Sequence, residues 1–341
     1  MDISILSSSD VECDEFVRQH SNGKLEHTQA WSRMVEQIFD HEAFYLVARK
    51  NSSICGVLPL MHIQSRLFGN RMVSQAFSTY GGPLVNDRAA LADLYQKAIQ
   101  ISNEHRCESV EFKNTESLPY QLQTSINKVC MYFPLSNSPE NIWTGFNKKI
   151  RKLVRKSEKS GVSVENGGIE LLDDFYEIWT LRMHQLGTPC YSKRLFSGIL
   201  ETFPGNCQIF VARLGKKAIA AKYTYSFRDF VQSRWAADLL EYREFCANYL
   251  LTWEAIRYYC LAGASLLDFG TSTVKSNQYE FKSRWGMRSV QLHYQYWTRP
   301  GHKLSLAKPD NSKYKKKIEL WKKLPLWVTR FAGPYISRSL P

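Results

Sequence analysis

"CQIFVARLGKKAIAAKYTYSFRDFVQSRWAA", residues 207–237, holds three apolar runs of strand length separated by two short turns. "CQIFVARL" (207–214) is joined to "AIAAKYTYSF" (218–227) by "GKK", and "RD" leads into "FVQSRWAA" (230–237). Apolar runs of this length bounded by turn residues predict an antiparallel meander. The next segment, "YREFCANYLLTWEAIRYYCLAG", repeats apolar residues at helical spacing and meets a Gly where a helix would stop. "SLLDFG" (265–270) then reads as a short buried strand.

The same order occurs upstream. "AFYLVAR" (43–49), "ICGVLPLMHI" (54–63) and "RMVSQAF" (71–77) read as strands, followed by helical "DRAALADLYQKAIQISNEH" (87–105) and the strand "SVEFKN" (109–114). Even the preceding helices correspond, at 28–39 and 192–203. The repeat is one of pattern, with negligible identity. It predicts an α/β (α+β) fold: two tandem domains, each a mostly antiparallel sheet with helices packed on it. Strict strand–helix alternation of the Rossmann kind is absent.

The 341 residues fit roughly two domains. A hydrophobic content of 44% supports real cores and argues against disorder. The net charge of +13, from 45 basic and 32 acidic residues, favours an anionic partner. Eight scattered cysteines contain no C-x-x-C, so buried free thiols are expected, with no disulfide framework and no metal site. "MDISILSSSD" lacks the features of a signal peptide, and no apolar run reaches spanning length. A cytoplasmic location is expected.

Positive charge is concentrated in two places. In "PENIWTGFNKKIRKLVRKSEKSGV" (139–162), Trp143, Phe146, Ile150, Leu153 and Val154 form a helical apolar stripe. Lys148, Lys149, Arg151, Lys152, Arg155 and Lys156 fill six of nine positions, forming either a solvated face or an anion contact. The tail "KYKKKIELWKKLPLWVTRFAGPYISRSLP" (313–341) places Ile318, Trp321, Leu324, Val328 and Phe331 on one side, with a kink at Pro325. Tryptophan and lysine on a helix too short to span point to an anionic membrane surface, with docking on the protein's own core as the alternative.

"DFGTSTVKSNQYEFKSRWG" (268–286) begins like a kinase magnesium site, but the chain has no G-x-G-x-x-G, no H-R-D and no P-loop. Asp268, at a strand end, is either a general base or a turn aspartate. Lys282 lies among Tyr279, Phe281 and Trp285; it is either a cation in a dry pocket, suited to an oxyanion or phosphate, or a surface lysine. "MHQLGTPCYSKRLF" (183–196) gathers His184, Thr188, Tyr191 and Ser192 in a stiffened loop suited to a substrate gate.

Taken together, "RKLVRKSEKSGV", "LGTPCYSKRLF", "WAADLLEYREFCANYLLTWEAI", "LDFGTSTVKSNQYEFKSRWG" and "YQYW" resemble the FemAB-like branch of the GNAT acyltransferase superfamily. Within it, the chain looks most like the group found with exopolysaccharide and exosortase (PEP-CTERM) gene clusters. The resemblance implies two GNAT-like domains, 1–135 and a catalytic 136–300, with one cleft between them and a basic tail at 301–341. It implies acyl transfer from an activated donor to an amine on an amino-sugar or lipid-linked envelope precursor at the inner membrane face. Lys282, in the F-K-x-x-[FW]-G motif, would stabilise the tetrahedral intermediate. Asp268 or His184 would take the proton. Tyr191, Asn248, Tyr279 and Trp285 would position substrate, and Arg155 would meet its phosphate. The donor would be acyl-CoA or aminoacyl-tRNA, with no tightly bound cofactor. The [QR]-x-x-G-x-[GA] run of coenzyme A sites is missing, and the basic helix is shorter than a paired tRNA-binding arm. Two other readings stand beside this one: a tRNA-dependent aminoacyltransferase of peptidoglycan type, and an inactive scaffold for polysaccharide assembly.

Overall fold

The computed structural model describes residues 1–6, 9–304 and 312–340, with 312–314 described by backbone only. The chain forms two compact units. One comprises residues 1–127, 291–311 and 336–341; the other comprises 128–290 and 312–335.

The first unit begins with β1 (Asp2–Leu6), α1 (Val11–Gln19), α2 (Gln29–Phe39), β2 (Glu42–Lys50), β3 (Ser53–Ser65) and β4 (Gly69–Val73). It continues with β5 (Leu84–Val85), α3 (Arg88–Glu104), β6 (Ser109–Asn114) and β7 (Gln123–Ser125). The second unit contains β8 (Lys128–Pro134), α4 (Pro139–Gly145), α5 (Lys148–Lys159), β9 (Val162–Gly167), α6 (Leu172–Leu186) and α7 (Lys193–Thr202). Its meander is β10 (Cys207–Leu214), β11 (Lys217–Phe227) and β12 (Phe230–Asp238), followed by α8 (Ala247–Leu261), β13 (Leu266–Thr273), α9 (Asn277–Ser283) and β14 (Arg288–Gln291). β15 (His293–Thr298), α10 (Ser312–Lys323) and α11 (Leu326–Ser337) complete the described chain.

The duplication expected from the sequence holds strand by strand. One sheet has the order β1-β2-β3-β4-β6-β15-β7, with β5 on β3; the other, from its far edge, runs β9-β10-β11-β12-β13-β8-β14. In each sheet one pair, β4–β6 or β12–β13, is parallel, and a helix (α3 or α8) connects its members. The remaining described pairings are antiparallel.

The unit borders differ from the expected 1–135, 136–300 and 301–341. β8 pairs with β13 in the second sheet, whereas β15 pairs with β6 in the first. The partner of a strand is set by long-range packing that a local sequence pattern does not encode. Nor is the tail a separate body, because residues 312–335 belong to the second unit. Residues 305–311 of that tail, and the side chain of Lys313, lie outside the described residues.

The second core explains the basic helix. Ile150 and Val154 of α5 are buried against the apolar cluster that includes Leu251, Ile256, Val231 and Leu267, while Lys148, Lys149, Lys152, Arg155 and Lys156 stay exposed. The first core gathers Leu46, Leu58, Met72, Leu94 and Phe112 beneath α3. All eight cysteines are free thiols. No described helix is long and apolar enough to cross a membrane.

Candidate active site

The parallel strands of the second unit pair only from Phe230–Leu266 to Gln232–Asp268, and beyond that point no pairing joins them. Each is irregular just there. The β11–β12 register shifts after Tyr223 so that Arg234 is skipped, and the β13–β8 register shifts between Asp268 and Thr271. Bulges bend a strand away from its neighbour. Gly270 sits in the second bulge at φ +71°, and a Cβ there would meet the Ser233 carbonyl oxygen at 3.2 Å. The strands therefore part at their carboxyl ends, where open α/β sheets bind ligands.

The opening is a cleft of about 820 Å³ lined entirely by residues of the second unit. Ser233, Arg234, Gly270 and Thr271 come from the parted strands, and Ala247, Asn248 and Tyr249 from the first turn of α8. That helix starts after Cys246, at φ 56°, with no side-chain cap. Its leading amides and positive dipole end suit an anion. Arg182, Arg234 and Arg243 add guanidinium groups to the walls. Arg243 donates to Asp238 at 2.9 Å.

Two buried lysines reach the cleft. Lys222 is the one charged residue among the ten residues of "AIAAKYTYSF". Its Nζ lies 3.4 Å from Thr252 Oγ1 and 4.7 Å from the centre of the Phe269 ring. Burial, helped by the charge of Lys282, pulls its ammonium down to about 7. Lys282 stands near the end of α9, whose first turn is capped by Ser276. Its Nζ donates to the carbonyls of Gly270 (2.9 Å) and Thr271 (3.1 Å), the oxygens that the bulge turns toward it. Burial lowers this lysine to about 8, although the Asp268 carboxylate acts in the opposite direction.

Of the residues singled out from the sequence, Lys282 and Asn248 line the cleft. The others do not. Asp268 is fully buried, and its Oδ1 accepts the Gly270 amide at 2.8 Å, so it braces the bulge and supports the charge of Lys282. His184 faces the tail, with Nδ1 3.2 Å from Thr329 Oγ1 of α11. The left-handed Gly187 ends α6 just after it and turns the chain there. Tyr191 stacks on Trp179 at 5.8 Å, and its carbonyl accepts the Tyr176 hydroxyl. Tyr279 packs on the apolar core, and Trp285 is buried between Phe146 and Tyr249. Arg155 lies over Trp143 at 5.7 Å, in a separate concavity with Lys148, Arg151, Lys152, Lys156 and Lys159. Lys222 and Arg234 were not foreseen. A charge inside an otherwise buried strand was the available signal for Lys222; Arg234 had none.

The tail docks on the second unit, as the second of its two expected readings had it. α11 docks through Thr329, through Arg330 donating to Thr180 Oγ1 at 3.1 Å, and through Gly333 against Cys190. Its outer face presents Trp327, Phe331 and Tyr335, spaced four apart and each more than 60% exposed. The expected apolar side is mostly turned inward: Ile318, Trp321, Leu324 and Val328 are half-buried and only Phe331 is exposed. At Pro325 the helix breaks instead of kinking.

Residues 145–283 match the family described as "Acetyltransferase (GNAT) domain". The chain is 22% identical over 240 residues to the "Lipid II:glycine glycyltransferase" of Staphylococcus haemolyticus (strain JCSC1435), covering 63% of this chain and 56% of that relative. The chain thus spans little more than half the relative's length. Among solved structures it is similar to FemX, with a TM-score of 0.66 at 15% identity over 86% of this chain and 97% of that one. It is also similar to a tandem GNAT protein from the clavulanic acid biosynthesis pathway, with a TM-score of 0.52 at 11% identity over 89% and 99% of the two chains. The matched GNAT domain, the tandem fold and the glycyltransferase relative together support a FemAB-like acyltransferase of the GNAT type.

Proposed function

We propose that the chain transfers an acyl or aminoacyl group to an amine of a lipid-linked cell-envelope precursor, in the cleft of the second unit. The observation that carries this reading is the convergence of Lys222 and Lys282 on a slot beside an uncapped helix start. Phosphate of donor or acceptor would sit at the first turn of α8, near Arg182 and Arg243. The amine nitrogen attacks the thioester or ester carbonyl. Lys222, neutral in a good share of molecules near pH 7, accepts its proton. Lys282 keeps its proton, and the N–H not engaged by Gly270 and Thr271 meets the oxyanion. When the tetrahedral intermediate collapses, the C–S or C–O bond breaks and the leaving group takes up a proton, which the Lys222 ammonium can return.

The precursor class is supported by the glycyltransferase relative, whose name specifies lipid II. An exopolysaccharide precursor is the narrower version of the same reading. The outward stripe Trp327–Phe331–Tyr335, with Lys322, Lys323 and Arg330 nearby, supports seating on an anionic membrane face. Aminoacyl-tRNA is the second donor candidate, favoured by the cationic concavity on α5. The open cleft beside Lys282 speaks against an inactive scaffold.

The test is a donor screen of the full chain by thermal shift and mass spectrometry, with short and long acyl-CoAs and charged tRNAs. One donor class should stabilise the protein and yield acylated acceptor amine. Lys282→Ala should cut transfer by roughly 10²–10³-fold. Undiminished turnover in both Lys282→Ala and Lys222→Met would refute the reading.

A further inference from the structure

We propose that Glu42, His62 and His105 of the first unit form a binding site for a zinc-type divalent ion. Glu42 and His62 face each other across the β2–β3 ladder. His105 follows directly on the last turn of α3. The three ligand atoms lie within 4.8 Å of one another. Glu42 Oε2 stands 3.5 Å from His62 Nδ1 and 3.4 Å from His105 Nδ1. Donors bound tetrahedrally to zinc at about 2.0–2.1 Å are separated by roughly 3.3 Å, so both carboxylate–imidazole spacings already fit, and the two imidazoles offer their nitrogens within 4.8 Å of each other.

The hydrogen bonds around His62 turn this proximity into a site. Asn70 Nδ2 donates to the carbonyl of His105 at 2.9 Å and that of Arg106 at 3.2 Å. Its Oδ1 is therefore the atom 2.7 Å from His62 Nε2, and that nitrogen must carry the hydrogen. In a neutral ring Nδ1 then holds a lone pair aimed at a carboxylate oxygen. Two lone-pair atoms facing each other repel, and a metal ion between them would accept both. A ligating histidine whose other nitrogen donates to a fixed acceptor is the usual outer arrangement of a metal site. Phe44 packs edge-on to His105 at 5.1 Å and restrains that ring.

Two imidazoles and one carboxylate leave a fourth position open and suit zinc, or cobalt as its probe, far better than magnesium or calcium. The ion would fasten the end of α3 to the end of the β2–β3 pair where Glu42 meets His62. Spacings of 20 and 43 residues between the ligands match no sequence motif, so the expectation of no metal site rested on short-range patterns alone.

Full-length protein stripped with chelator is titrated with Zn²⁺ by calorimetry and with Co²⁺ by visible absorption. The proposal expects one ion per chain, tetrahedral cobalt bands, and a higher melting temperature with Zn²⁺ but not with Mg²⁺. Glu42→Gln, His62→Ala and His105→Ala should each weaken binding at least tenfold, with circular dichroism checking that they fold. Asn70→Ala should weaken it by about 10–100-fold while leaving all three ligands in place. Absence of saturable binding to the wild type, or equal binding by folded Glu42→Gln and wild type, would overturn the site.

Discussion

Replacing Lys222 with Met should make the protein more stable, and by an amount that depends on pH. The ammonium is buried, with Thr252 Oγ1 at 3.4 Å as its hydrogen-bond partner among the described residues. Its value of about 7 lies well below the ordinary 10.5. Below about pH 7 both folded and unfolded chains hold the proton, so the burial cost is present in full. Between about 7 and 10.5 the unfolded chain binds more protons, so stability rises with pH. At 1.36 kcal/mol per pH unit, the full cost is about 5 kcal/mol, an upper bound. From pH 6 to pH 9 the wild type should gain about 2.7 kcal/mol from this group, and Lys222→Met should lack that gain. Urea unfolding at several pH values measures both chains. A wild-type minus variant difference that stays flat from pH 6 to 9 would show that Lys222 does not titrate there, and the proposed proton acceptor would fall with it. If the reasoning holds, the more stable variant should also transfer roughly 10²–10⁴-fold more slowly, the trade expected when a costly buried group serves chemistry.

Lys282→Met removes the charge that helps hold Lys222 down, so the midpoint of the wild-type pH–stability rise should move to higher pH in this variant. Gly270→Ala places a Cβ at φ +71° and 3.2 Å from the Ser233 carbonyl; a loss of about 1–3 kcal/mol in urea unfolding should accompany reduced transfer, whereas an unchanged midpoint would mean that the bulge adapts freely. Trp327→Ser combined with Phe331→Ser should abolish co-sedimentation with anionic vesicles and leave the melting temperature unchanged, because both side chains are exposed. Retained vesicle binding would assign any membrane contact to another surface.

Much of the fold was legible because it is written in local patterns. The meander at 207–237 and its weaker counterpart at 43–77 alternate and turn as strands do, and the helices that follow carry apolar residues at helical spacing. Partner choice was not legible: nothing in the local pattern of 128–134 or 293–298 shows that β8 joins the second sheet and β15 the first. The site divides along the same line. Lys282 was visible from its aromatic neighbours, and the structure puts it in the cleft. Asp268 and His184 have acid–base side chains in plausible sequence positions, yet one is turned into a bulge and the other toward a helix about 145 residues downstream. Lys222 was passed over because a single lysine in a strand reads as an edge or surface residue until its burial is known.

The crossed membership of β8 and β15 has a consequence for how the chain is made. A ribosome delivers the N-terminal unit first, but the strand that pairs with β6 and carries β7 is not complete until residue 298 has been added. Until then β6 offers an open sheet edge to any passing strand, a hazard for aggregation. A nascent chain of this protein should therefore depend on holding chaperones for most of its synthesis, and truncations at residue 135 or at 290 should each leave an incomplete sheet instead of a shorter folded protein.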